Sequence, residues 1–146
     1  MTSIVNAAVT AIVAALQSAT PVAPQIERTR LRALKAGTTT AVVVRALSSE
    51  ATTIAVQFSA PSVWTTVIVV ECYARASAGT APDVAVDAVA SAAYARIMAD
   101  PTLGGVVASL TPASLQYDFD ADADQTACAI FTFQARHVAG SQVFTP

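Results

Sequence analysis

From Trp64 to Arg75 the chain is apolar on both alternating faces as far as Glu71, with Val67, Ile68, Val69 and Val70 in unbroken succession. Successive residues of a strand point to opposite faces, so a strand apolar on both is buried on both. This segment therefore predicts a central strand, and the fold must supply neighbours on each flank. Thr39 to Leu47 is a β-branched run, and Ser48-Ser49-Glu50 has the composition of a turn. Thr52 to Phe58 follows, with Ile54, Val56 and Phe58 on one face, and Pro61 separates it from the central strand. The short connections predict an antiparallel meander. Gln25 to Arg32 alternates too, placing Ile26, Arg28, Arg30 and Arg32 on one face and Glu27, Thr29 and Leu31 on the other. Three guanidiniums in a row suit a sheet edge, where charged side chains deter unwanted pairing. Ala113 to Phe119 and Thr126 to Val138 read as two last strands.

Two stretches have helical periodicity instead. In Ile4 to Gln17, Val5, Val9, Ile12 and Leu16 recur at three- and four-residue spacing, Ser3 stands at the N-cap position, and Pro21 and Pro24 end the element. The second runs from Thr80, a capping candidate with Asp83 three residues on and Pro82 in the first turn. Val86, Val89, Ala93 and Ile97 give its buried stripe. It stops near Ala99, because Pro101 disfavours helical geometry at Asp100. The order α-β-β-β-β-α-β-β has no regular βαβ alternation. It predicts an α+β fold: one domain over residues 1–146, mainly antiparallel, with two helices packed on one face of the sheet.

Composition bounds the function. With 146 residues, 54% hydrophobic and only 12% charged, the chain can bury a substantial core and is not disordered. Such a low charge fits a subunit that hides surface in an assembly; it equally fits alanine bias, and alanine tolerates exposure. A net charge of -2 without a basic run argues against tight binding to nucleic acid. Residues 1–26 carry no charged side chain, yet they lack the basic start of a signal peptide, and Asn6, Thr10, Gln17 and Ser18 break any membrane span. An intracellular protein without a membrane segment is expected. Cys72 and Cys128 lie in predicted strands and read as buried free thiols.

The charge is polarised. Five of the eight basic residues fall between Arg28 and Arg45, and four of the ten acids are Asp118, Asp120, Asp122 and Asp124. In a strand these four share one face with Ser114 and Gln116, while Leu115, Tyr117 and Phe119 take the other. The pattern opens like a calcium loop, but neither the glycine at the sixth position nor the glutamate at the twelfth is present. Four adjacent solvated aspartates also lack the contrasting environments that separate a catalytic acid from a base. The stripe suits a subunit interface with Arg28, Arg30 and Arg32 of a neighbour, or the wall of a channel. A small divalent-ion or ligand binding module on Asp118–Asp124 is the alternative of another class. Asp100, Leu103, Gly104 and Gly105 form a Gly-Gly turn, expected to be flexible and a candidate interface loop. No nucleophile–base pair attends His137, the single histidine, and no phosphate loop is present, so neither an enzyme nor a cofactor is expected.

The residues that carry a resemblance are these: Ile26-Glu27-Arg28-Thr29-Arg30, Val70-Glu71-Cys72-Tyr73-Ala74-Arg75, Arg96-Ile97-Met98-Ala99-Asp100, Thr102-Leu103-Gly104-Gly105-Val106, Tyr117 to Asp124, and Phe131-Thr132-Phe133. With them the chain resembles the tail terminator, or tail completion, proteins of long-tailed bacteriophages and gene transfer agents, most strongly over Trp64–His137. The resemblance implies helices against a sheet, no catalytic residues, and a homohexameric ring that caps the tail tube and ends its polymerisation. It implies the tail tube protein and the head-tail connector or neck protein as partners, with DNA only passing through the channel. The implied location is the virion, assembled in the host cytoplasm. A head-completion or neck adaptor protein is the neighbouring alternative.

Overall fold

A computed structural model of the chain describes residues 2–29, 37–53, 60–76, 79–119 and 126–139. Its elements are helix α1 (Ile4–Gln17), strands β1 (Gln25–Arg28), β2 (Thr40–Thr53) and β3 (Ser62–Arg75), helix α2 (Pro82–Met98), and strands β4 (Ser109–Phe119) and β5 (Thr126–Ala139). They form one sheet in the order β1-β2-β3-β5-β4. The run that starts at Trp64 is its middle strand, as its two apolar faces require. The α+β class, the mainly antiparallel sheet and the helices on one face are those expected. One pairing is parallel: Gln25 to Arg28 of β1 lie beside Ala41 to Val44 of β2.

The turn expected at Ser48-Ser49-Glu50 does not form. β2 runs through it to Thr53, held against Val67, Thr66 and Thr65 of β3 after a bulge between Ala46 and Ser48. The Ser49 and Thr66 hydroxyls, 2.7 Å apart, share a hydrogen bond across this ladder. Ladder pairing outweighs the turn composition of two serines and a glutamate. The neighbouring Thr52–Phe58 strand is described only to Thr53; Ile54 to Phe58 lie outside the described residues. In this distal arm Trp64 sits opposite Ala51 on one side and His137 on the other.

Residues at one parity of each strand build the core. Val42 and Val44 of β2, Ile68, Val70, Cys72 and Ala74 of β3, and Ala127, Ala129, Phe131, Phe133 and Ala135 of β5 meet the helices. Helix α1 brings Ala8, Val9, Ile12 and Leu16, and α2 brings Val86, Val89, Ala90, Ala93 and Ile97. Ser3 caps α1, its hydroxyl accepting from the Asn6 N–H. Thr80 does not cap α2. Ala81 takes that position without a side-chain bond, and Pro82 at the first turn needs no partner for the N–H it lacks. The two helices are tied together by Arg96 of α2. Its guanidinium donates to the carbonyls of Ser18 and Thr20, at 3.1 Å for Thr20, where α1 ends and its carbonyls lack helical partners.

The Gly-Gly turn is latched rather than loose. The Asp100 carboxylate accepts from the Thr102 N–H at 2.9 Å, the Thr102 hydroxyl at 2.6 Å and the Gly104 N–H at 2.7 Å. The Val107 N–H returns to the Thr102 carbonyl, and Leu110 N–H to Pro101. Gly104 and Gly105 adopt φ of 71° and 84°, the left-handed region that glycine enters without strain. Leu103 joins the core.

Candidate assembly surface

The helices do not span the sheet. α2 packs mainly on β3 and β5, and α1 on β1 and β2, which leaves β4 beyond Leu110 largely outside the helical cover. From Thr111 to Phe119 every residue of β4 is exposed. Its register with β5 sets Leu115 beside Phe131, Tyr117 beside Ala129 and Phe119 beside Ala127, all on the helix side. Leu115, Tyr117 and Phe119 remain 42%, 45% and 55% exposed, a heavy apolar display for one strand.

Between this strand and α2 lies an open groove of about 520 Å³, lined by Asp87, Ser91 and Tyr94 from the helix, Pro112, Leu115 and Tyr117 from β4, and floored by Phe131. Tyr94 stacks on Phe131 with centroids 5.6 Å apart, and Phe131 lies 5.9 Å from Phe133. The aromatic core thus continues outward into the groove wall. Tyr117 and Phe119 stack with nearly parallel rings, their centroids 6.0 Å apart and 2° between their planes. The Tyr117 hydroxyl reaches Asp87 at 3.5 Å. The polar side chains of the groove are Asp87 and the hydroxyls of Ser91, Tyr94, Ser114 and Tyr117.

Of the sequence-predicted residues, Arg28 and Asp118 fall on the two opposite edges of the sheet. Arg28 ends β1 at one edge, exposed, with its guanidinium donating to the Asn6 side-chain oxygen on α1. Thr29 has φ of 104°, so the strand geometry stops after Arg28. Arg30 and Arg32 lie outside the described residues. Asp118 is exposed on β4 at the other edge, opposite Cys128 and facing away from the helices, as alternation requires. Asp120, Asp122 and Asp124 lie outside the described residues. Asp100, Gly104 and Gly105 are exposed in the latched turn, whereas Leu103 is turned inward and has no surface to offer. The hydrogen bonds from Thr102 and Gly104 hold the Asp100 carboxyl below its usual pKa.

The far face of the sheet carries a polar cluster that the sequence did not single out. Arg45 Nε and Nη2 donate to one oxygen of Glu71 at 3.0 and 2.9 Å, and the Tyr73 hydroxyl donates to the other at 2.6 Å. Glu71 is buried, and this pairing is what makes a buried carboxylate tolerable. Cys72 and Cys128 are buried and not joined in a disulfide; burial, with Cys128 adding to it, pushes the Cys72 thiol up to about 12. His137 is buried beside the distal arm, and burial pushes its pKa below the usual histidine value. Among the described residues no group of three or more His, Cys, Asp or Glu is placed to hold a metal ion, and no helix is long and apolar enough to cross a membrane.

The groove was missed in the sequence because Leu115, Tyr117 and Phe119 look like the buried half of an amphipathic strand. Only the placement of α2 over β5 shows that they are left about half exposed. No protein-family model matches the chain, and no curated protein matches it. Among solved structures it is similar to a chain in the virion of a native gene transfer agent particle, at 15% identity and a TM-score of 0.49, over 89% of this chain and 93% of that one.

Proposed function

We propose that this chain is a structural virion protein, a tail terminator whose copies close into a ring on the end of the tail tube. The ring ends tube polymerisation, joins the tail to the head connector or neck protein, and leaves a channel through which DNA passes. Its place is the virion, reached by assembly in the host cytoplasm, and it performs no catalysis and holds no cofactor. The observation that carries the reading is the uncovered β4 edge with Leu115, Tyr117 and Phe119 exposed beside an apolar groove. A solvated monomer gains nothing from such a display, whereas a subunit buries it against its neighbours. The resemblance over Trp64–His137 supplies the kind of assembly. A chain that assembles head to tail also needs two different faces, and Arg28 at one sheet edge with Asp118 at the other fits that need.

Negative-stain micrographs of the purified protein, alone and mixed with tail tubes that lack a terminator, test this. Closed rings, or density confined to tube ends with tube length fixed, are the expected result. A protein that stays monomeric and ignores tube ends overturns it.

A further inference from the structure

The groove between α2 and β4 holds one charged group, and no cation in the described chain answers it. Asp87 is exposed in the groove wall, and its carboxylate accepts from the Tyr117 hydroxyl at 3.5 Å. No basic residue lines the groove. Asp83, also exposed, stands one helical turn before Asp87, so this end of the groove is negative throughout.

The walls beside that carboxylate are aromatic. Tyr94 of α2 and Tyr117 of β4 each present an exposed ring, and Phe131 floors the space between them. The face of a tyrosine ring attracts a cation, and a carboxylate alongside strengthens the hold. Among cations a guanidinium suits the site best. It is flat enough to stack on the rings, it offers a carboxylate two N–H groups at once, and it sheds water more easily than an ammonium. Further along, the groove turns apolar. Tyr117, which meets Asp87, lies opposite Ala129, whereas Leu115 lies opposite Phe131, the ring on which Tyr94 stacks. Residues two apart on a strand are separated by about 7 Å, so the acidic and apolar parts are spaced like alternate side chains of an extended chain.

We propose that the groove is a binding site for an arginine side chain carried on an extended segment of a partner subunit, with an apolar residue two positions away on the same face. The guanidinium lies between Asp87 and the Tyr117 ring, and the apolar side chain rests on Leu115, Tyr94 and Phe131. That the partner is a virion subunit rests on the assembly reading above; the class of side chain rests on Asp87 and the rings.

The test titrates the isotope-labelled full chain with acetyl-Arg-Thr-Leu-amide and with its citrulline counterpart, which keeps the shape and lacks the charge, while amide NMR shifts are followed. The arginine peptide should move the amides of Asp87, Tyr94, Leu115 and Tyr117 and bind about tenfold more tightly than the citrulline peptide. Asp87→Asn should keep the wild-type circular dichroism and lose that preference. Equal binding of the two peptides, shifts shared with Asp100 and Asp118, or no shifts in a protein that runs as a monomer overturn the site. In an assembled protein a neighbour already fills the groove, so light scattering after gel filtration gives the answer: Asp87→Arg should dissociate the assembly and Asp87→Glu should retain it. Rings or tube-end binding indifferent to Asp87→Arg overturn the site and leave the ring reading intact. A chain that binds the arginine peptide yet never associates, with itself or with tubes, overturns the ring reading and leaves the site standing.

Discussion

Glu71 gives the sharpest test of how the far face of the sheet is held. Its side chain is 10% exposed, while that of Arg45 is 38% exposed. Glu71→Gln keeps the volume, so no cavity opens, but the carboxylate that accepts from Arg45 at 2.9 and 3.0 Å and from Tyr73 at 2.6 Å becomes a neutral amide. Hydrogen bonds to a charged partner contribute about 1.5–3 kcal/mol, against about 1 kcal/mol for neutral ones. Arg45 recovers part of the loss by hydration, which holds the cost of Glu71→Gln to about 1.5–2.5 kcal/mol. Glu71→Ala removes the acceptor of both Arg45 and Tyr73 altogether, for about 2–4 kcal/mol. Urea unfolding should show the midpoint falling with the slope unchanged, and the melting temperature should drop about 2–4 °C for each kcal/mol. A double-mutant cycle with Arg45→Gln should return a coupling of about 1 kcal/mol. If Glu71→Gln lies within about 0.5 kcal/mol of wild type, or the cycle shows no coupling, the cluster is not what stabilises this face.

Three further outcomes follow from the core and the titrating groups. Phe133 is fully buried and packs beside Phe131 and Tyr94, so Phe133→Ala should cost about 3–5 kcal/mol in urea unfolding. Acidification should lower stability in two steps, because both shifted groups have folded pKa values below their unfolded ones. The contribution of His137 is complete above pH 6.5 and falls away below it, and that of Asp100 is complete above its ordinary 3.8 and is lost as pH drops through its depressed value. His137→Gln should flatten the first limb and Asp100→Asn the second, read as urea midpoints against pH. Cys72, buried and with its thiol pushed up to about 12, should ignore an aromatic disulfide reagent at pH 8 until the protein is unfolded.

Elements whose pattern is local were legible in the sequence. The stripe Val86, Val89, Ala93 and Ile97 and the twin apolar faces of β3 each report burial through their own periodicity, and both helices and the central strand follow from them. What escaped was set by partners remote in the chain. Ser48-Ser49-Glu50 has turn composition and becomes strand because β3 offers it a ladder. The parallel seat of β1 on β2 leaves no mark in either segment. Thr80 looked like a cap, yet with Pro82 in place the helix starts from Ala81. The assembly surface was half visible. The acidic and basic segments could be read as opposite in charge, but that Arg28 and Asp118 sit at the two ends of one sheet order depends on β5 intervening between β3 and β4. The exposure of Leu115 and Tyr117 depends on where α2 comes to rest.

The one indole in the chain is a consequence of the same layout. Trp64 lies in the ladder between Ala51 and His137, on the same parity of β3 as Ile68 and Val70 and beside the distal part of β2. Its emission is therefore a native spectroscopic reporter of that arm. A protonated imidazole quenches a nearby indole, so fluorescence followed as the pH falls below 6.5 reads the charge state of His137 without any label. The same signal, recorded while subunits meet, separates events at the arm from melting of the interior.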